Sequence, residues 1–246
     1  MKGIDIGAFH FDYPVFLAPM AGVTDTAYRI IAHDMGCPAP KVVKNGEGSA
    51  LMKDPERAYA IMKAVRKAVK MPFTVKMRLG WDESYHWREI IPLFDILKPN
   101  QVVVHPRTGR QQYKGVLNLD EFASLLDCCP FPVVYNGELK SLEEIDRIVK
   151  IFPDISGLMI GRGLIEDPAM LCPEKGTADN YCELHNRLRD AYSEQLNGGE
   201  HQLLLKMKSL WEMFLPNAPH KSLKAIKKST SMAKYNIAVN ELFYSL

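Results

Sequence analysis

The sequence predicts an α/β protein in two parts. Residues 1–172 read as a β/α barrel-like domain that falls short of closure, and residues 173–246 as a small all-helical domain. Three observations predict it. Short, continuously apolar strands alternate with amphipathic helices, the pattern of a parallel sheet covered on both faces. Glycine or polar residues follow the strands at their C-terminal ends, the face where β/α barrels place their chemistry. After Pro173 the strands cease and only helical spacing continues.

In chain order, Ile4 to Tyr13 alternates weakly and reads as a hairpin leading into Val15-Phe16-Leu17-Ala18, a buried strand ended by Pro19. Thr24, Asp25 and Thr26 offer capping oxygens for a helix carried to about His33. A Gly/Pro-rich loop around Cys37 follows. From Pro55 to Lys70, Ala58, Ile61, Met62, Val65 and Val69 form one apolar stripe, which predicts a helix. Phe73 to Met77 is a strand, Trp87 to Leu97 a helix, and Gln101 to His105 a strand. Leu119 to Leu126 is helical and Pro132 to Tyr135 a strand. Ser141 to Ile151 is a helix with Ser141 as its cap and Glu144 three residues on. Gly157 to Ile160 is the last strand. Five strands are expected, against the eight that close a barrel. The tail predicts helices near 180–197, 201–214, 219–230 and 235–245.

Composition narrows the classes. The chain has 246 residues, is 47% hydrophobic and 24% charged, and carries a net charge of +2, so a nucleic acid would have to meet a local patch. Its five cysteines are odd in number and irregularly spaced, which gives no disulfide framework. No His/Cys/carboxylate cluster has ligand spacing, so no metal is expected. No run approaches about 18 apolar residues and no signal-peptide pattern opens the chain, so a monomer in a reducing cytoplasm is the expectation.

Cys37 is the candidate reactive group. It lies in Met35-Gly36-Cys37-Pro38, followed by Lys41, Lys44 and the turn Asn45-Gly46-Glu47-Gly48. A thiol in a loop beside cations suits acid/base chemistry, whereas a packing cysteine sits in an apolar run. Cys128, Cys129, Cys172 and Cys182 read as packing residues. The strand-end groups are Pro19-Met20-Ala21-Gly22, Lys76-x-Arg78, His105-x-Arg107, Asn136-Gly137-Glu138 and Gly161-Arg162-Gly163. The last two contain glycine and precede helix starts, which suits a phosphate-bearing cofactor held by backbone N–H groups and an arginine. In the tail, Lys221, Lys224 and Lys228 share one helical face. That stripe reads either as a contact for a phosphodiester backbone or as a solvated face.

Six runs together resemble the tRNA-dihydrouridine synthase family, flavin enzymes that reduce a uracil base in tRNA. They are Leu17 to Asp25, Met35 to Pro38 with Lys41 to Leu51, Val75 to Asp82, Val104 to Thr108, Asn136 to Glu138, and Met159 to Gly163. The resemblance implies a TIM-type β/α barrel with FMN as cofactor, NADPH as electron donor and tRNA as substrate. It implies that Pro19, Met20 and Ala21 line the isoalloxazine, that Lys76 lies at its pyrimidine edge, and that His105 hydrogen-bonds close by. Asn136, Gly137, Glu138, Gly161 and Arg162 would hold the ribityl phosphate. Cys37 would be the general acid that protonates C5 of uracil while hydride reaches C6. Asn45 and Arg107 would read the uracil edge or nearby phosphates, and the helical tail with Lys221, Lys224 and Lys228 would bind tRNA.

The chain departs from the family pattern at one place. Family members pass through two further βα units before the cysteine loop, whereas here the helix expected to end near His33 runs directly into Cys37-Pro38. At about 30 residues per unit, roughly 60 residues are absent. The expectation is therefore an incomplete barrel in which about two βα units are missing, Cys37 hangs from a helix end, and the family's flavin-contacting glutamine has no counterpart. Two other readings follow: an inactive, internally deleted member that only binds RNA, and another FMN barrel oxidoreductase acting on a small pyrimidine.

Overall fold

The computed structural model describes residues 4–6, 9–11, 15–17, 32–68, 74–172 and 176–246. The chain divides into two compact units, Met1–Leu139 with Glu143–Gly161, and Lys140–Leu142 with Arg162–Leu246.

In the first unit, strands β1 (Ile4–Ile6) and β2 (Phe9–Phe11) form the expected antiparallel hairpin, with Ile4 opposite Phe11. The main sheet contains β3 (Val15–Leu17), β4 (Ala32–Met35), β5 (Thr74–Gly80), β6 (Gln101–Thr108), β7 (Val133–Tyr135) and β8 (Gly157–Ile160). Their order is β3-β8-β7-β6-β5-β4 and every pairing is parallel. The apolar runs explain this placement. Val102, Val103 and Val104, Val133, Val134 and Tyr135, and Leu158, Met159 and Ile160 are all buried, as strands covered on both faces must be.

One predicted element is overturned. The helix expected to reach His33 does not do so, because Ala32–Met35 is strand β4. Ala32 stands beside Thr74 and Met35 beside Met77 in a parallel ladder with β5. The backbone partners come from a strand some forty residues away, which helical spacing along the chain does not reveal. Residues 24–31 lie outside the described residues. Among the described residues six parallel strands are thus present where five were expected, and Cys37 follows a strand end, not a helix end.

Helices on this unit follow the pattern with local changes. Helix α1 (Pro40–Val43) and a 3-10 turn (Gly48–Lys53) occupy what reads as a loop. Helix α2 (Pro55–Ala68) buries Ala58 and Met62. The single helix expected over Trp87 to Leu97 is three pieces: α3 (Trp87–Ile90), a 3-10 turn (Ile91–Leu93) and α4 (Phe94–Leu97). Pro92 removes a backbone donor there, which favours the break. Helix α5 (Leu119–Cys128) is capped by the Asn118 side chain, which accepts from the Glu121 N–H at 3.0 Å. Helix α6 (Leu142–Ile151) buries Ile145 and Ile148. Cys128 is exposed at the end of α5, so the packing role expected for it does not hold, and all five cysteines are free thiols.

The sheet is a partial barrel. Strands β3 and β4 follow one another in the chain yet occupy opposite edges of the six-stranded sheet.

The second unit is helical: α7 (Arg162–Glu166), α8 (Ala178–Gln195), α9 (Gly199–Leu210), α10 (His220–Lys228) and α11 (Met232–Ser245). Thr177 and Asn180 form a capping box at the start of α8. Leu204, Met207, Trp211, Phe214, Ile226, Leu242 and Phe243 make the core. A polar centre sits within it. The Tyr235 hydroxyl accepts from Trp211 Nε1 at 2.8 Å and lies 2.7 Å from His185 Nε2, whose Nδ1 is 3.2 Å from Asn186 Oδ1. Each group is satisfied when His185 is neutral with the proton on Nδ1.

Burial lowers the His185 pKa to about 4, more than the Asn186 hydrogen bond raises it. Because the folded value lies below the unfolded one, the unfolded chain binds the extra proton. Stability is therefore full above pH 6.5 and is lost as pH falls towards 4, by on the order of 3 kcal/mol. Urea denaturation between pH 7 and 4 should show this slope for the helical unit, and His185→Gln should flatten it.

Candidate active site at the strand ends

The site of the first unit is built from residues two apart on neighbouring strands. On β5, Lys76 and Arg78 share a face, and on β6 so do His105 and Arg107. Arg78 stands beside His105 in the ladder. All four side chains are buried, with Arg78 only 2% exposed. Basic groups so enclosed must find hydrogen-bond acceptors, and most of those acceptors are backbone carbonyls of adjoining loops.

Arg107 donates from Nη1 to Glu138 Oε1 at 2.6 Å, and from Nε and Nη2 to the Gly115 carbonyl at 3.2 and 2.8 Å. It thereby ties β6 to the loop after β7. Glu138 holds a positive φ of 45° in that loop. Gly137 is buried, and a Cβ there would lie 3.2 Å from Pro106 Cδ and 3.3 Å from Leu117 Cδ2. Asn136 links two strands, its N–H donating to the Val104 carbonyl at 2.9 Å and its Nδ2 to the Met159 carbonyl at 2.7 Å.

His105 lies at the centre of these groups. Burial holds its pKa well below the ordinary histidine value, and the charges of Arg78, Lys76 and Arg107 lower it further, against a hydrogen bond to Asn136 that raises it. The imidazole is neutral at physiological pH. Its Nε2 is buried and has no hydrogen-bond partner among the described residues. A buried ring nitrogen left unsatisfied beside three cations is a position that a hydrogen-bonding heterocycle would complete, and the cations favour one that carries negative charge.

Cys37 sits two residues beyond β4 and is half-buried. The carbonyls on either side of its Cα are both held. Gly36 O accepts from Arg78 Nε at 2.8 Å, and Cys37 O accepts from the Ser49 N–H at 2.9 Å and Ser49 Oγ at 3.1 Å. Gly48 closes the turn with a φ of +59°, and a Cβ there would stand 2.5 Å from the Cys37 carbonyl oxygen. Asn45, Lys41 and Lys44 are exposed on the same loop.

The predicted residues thus divide. Lys76, His105, Arg107, Asn136, Gly137 and Glu138 share one end of the sheet, joined through Arg78 to the Cys37 loop. Gly161 follows β8, beside β7 in the sheet. Arg162 opens the five-residue α7 in the second unit. Pro19, Met20 and Ala21 lie outside the described residues. Lys221, Lys224 and Lys228 are exposed on α10 of the second unit. Lys228 and Lys234 line a groove of about 260 Å³ there with Ser229, Ile237 and Glu241. Sequence reading gave no role to Ser49, Gly48 or Lys234, and none to Arg78 beyond its place in Lys76-x-Arg78. That spacing was the available signal. A cavity of about 600 Å³ in the first unit is lined by Thr108, Asp82, Ser84, Gln111 and Asp120 but by none of the four basic residues. Among the described residues no His/Cys/carboxylate group could hold a metal, and no helix is long and apolar enough to cross a membrane.

Residues 14–236 match the sequence model of the family described as dihydrouridine synthase (Dus). The chain is 37% identical over 140 residues to a probable tRNA-dihydrouridine synthase of Rhizobium leguminosarum bv. phaseoli, covering 56% of this chain and 44% of the relative. It is 32% identical over 177 residues to a probable tRNA-dihydrouridine synthase of Treponema pallidum, covering 65% and 52%. It is 38% identical over 136 residues to tRNA-dihydrouridine synthase B of Shewanella oneidensis, covering 55% and 42%. The chain spans about half the length of the curated relatives it matches.

A replacement at Gly48 tests the loop geometry. Gly48→Ala should destabilise the first unit by about 1–3 kcal/mol, through the positive φ and the approach to the Cys37 carbonyl. Thermal unfolding followed by circular dichroism reads that loss.

Proposed function

The chain belongs to the dihydrouridine synthase family, and from that premise we propose that it reduces the C5=C6 bond of a uridine in tRNA, with FMN as cofactor, NADPH as electron donor and the cytoplasm as its location. The observation that carries this reading is the buried basic cluster around neutral His105, tied through Arg78 to the loop of Cys37. FMN, when bound and reduced, would supply the hydride for C6. This chain's own residues have the complementary tasks. His105 would direct its unsatisfied Nε2 to the cofactor, and Lys76 would hold a positive charge at the ring edge. Gly137 and Glu138, in the loop that Arg107 fixes, and Gly161 with Arg162 would approach the phosphate. Cys37 Sγ would hand its proton to C5 of the base, with Asn45 placing the substrate. Lys221, Lys224 and Lys228 would meet tRNA phosphates.

The topology supports a second part of the proposal: about two βα units are absent between β3 and β4. These strands are consecutive in the main sheet but lie at its two edges, where an eight-stranded barrel would insert two more. The same openness favours a second reading, a family member that binds RNA without turnover. A small-pyrimidine reductase is the third, and tRNA binding separates it from the others.

Visible absorption of the purified protein with added FMN comes first. A bound-flavin spectrum near unit occupancy is expected, and a protein that leaves FMN free in solution refutes the cofactor assignment. Cys37→Ala should then keep FMN and lose dihydrouridine formation by about 100-fold or more, scored by mass spectrometry of the digested tRNA. Neutralising Lys221, Lys224 and Lys228 should weaken tRNA binding and flatten its salt dependence by about one log–log unit per lost phosphate contact. An unchanged slope would return the stripe to a solvated face.

A further inference from the structure

Arg78 of the strand-end cluster hydrogen-bonds directly to the cysteine loop. Its guanidinium is buried, and its donors reach three backbone carbonyls: one after β4, one at the end of β6 and one in the loop after β6. Nε donates to Gly36 O at 2.8 Å, while Nη1 donates to Thr108 O at 2.8 Å and Gln112 O at 2.7 Å. The Tyr113 ring lies 5.5 Å from its central carbon and packs over it. Gln112 takes a positive φ of 51°, a conformation unfavourable for a residue with a side chain, and its carbonyl is one of those Arg78 holds. From the other side, Ser49 holds the next carbonyl of the cysteine loop twice, through its N–H and its Oγ. The backbone at Cys37 is therefore held between a strand β5 side chain and a 3-10 turn.

From this geometry we infer that Arg78 is the positioning residue of the Cys37 thiol, with Ser49 as its counterpart. The inference rests on the proposed role of Cys37 as proton donor. A flat, forked guanidinium can satisfy three separated carbonyls at once, whereas a lysine ammonium on a flexible stem is a point donor that cannot span them. Arg78 would thus be needed for its shape. A sub-ångström placement of the donor atom is what the proton transfer requires, and displacement by about 1 Å costs on the order of 100-fold in rate.

The test uses the FMN-loaded protein and Arg78→Lys, which keeps the charge. Alkylation of Cys37 by iodoacetamide is followed by peptide mass spectrometry at 25 °C. Turnover on unmodified tRNA is measured beside it. The expected result is a rise in the Cys37 alkylation rate of about tenfold and a fall in kcat of about 100-fold, with KM for tRNA and FMN occupancy unchanged. A wild-type alkylation rate in Arg78→Lys overturns the inference, as does a loss of turnover that follows loss of FMN. If Arg78→Lys does not fold, Ser49→Ala takes its place. It keeps the N–H bond and removes the Oγ bond, and should raise alkylation about threefold; no change overturns the clamp. If the wild-type protein forms no dihydrouridine, the reaction assignment fails, while the alkylation ratio still decides the clamp.

Discussion

The burial of the Arg78 guanidinium is the constraint on which the first unit's site depends. A charge at 2% exposure is tolerated only if its donors are met, and here the acceptors are Gly36, Thr108 and Gln112 carbonyls. Each charge-assisted hydrogen bond of this type contributes about 1.5–3 kcal/mol relative to leaving the group unpaired. The consequence is geometric as well as energetic. The loop after β4 and the loop after β6 cannot move independently, because one rigid fork joins both.

The same end of the sheet concentrates positive charge. Burial keeps His105 neutral, aided by the charges of Arg78, Lys76 and Arg107, and Glu138 is drawn onto Arg107 in the loop beyond β7. Cations packed this closely repel one another, so an anionic or electron-rich group placed among them would be stabilised. The unsatisfied Nε2 of His105 lies among them. The helical unit is organised by a different rule. Its core is mostly apolar around the His185, Trp211 and Tyr235 centre, in which each polar atom meets a partner and protonation is disfavoured.

Sheet topology sets the terms for the first unit. Among the described residues, a parallel sheet with β3 and β4 at its edges leaves two rows of backbone groups outside the ladder. The basic cluster comes from the inner strands β5 and β6 and the loop after β7, whereas Cys37 follows the edge strand β4. The basic cluster can therefore exist on a partial barrel, because Lys76, Arg78, His105, Arg107 and Asn136 come from or directly follow β5, β6 and β7.

The sequence by itself determined the alternation of strands and helices, the helical tail and the polar groups at the strand ends. Each is encoded by residues close together in the chain: apolar runs such as Val102-Val103-Val104, or pairs such as Lys76-x-Arg78. Only the tertiary structure decided that Ala32–Met35 is a strand, since its partners lie on β5. Only the tertiary structure showed that Arg107 is joined to Glu138 and Gly115, and that Arg78 and Ser49 hold the Cys37 loop. The Arg78 to Gly36 bond spans 42 positions of sequence. Local spacing carries no information about such a contact, because it exists only once burial has removed water as the competing acceptor.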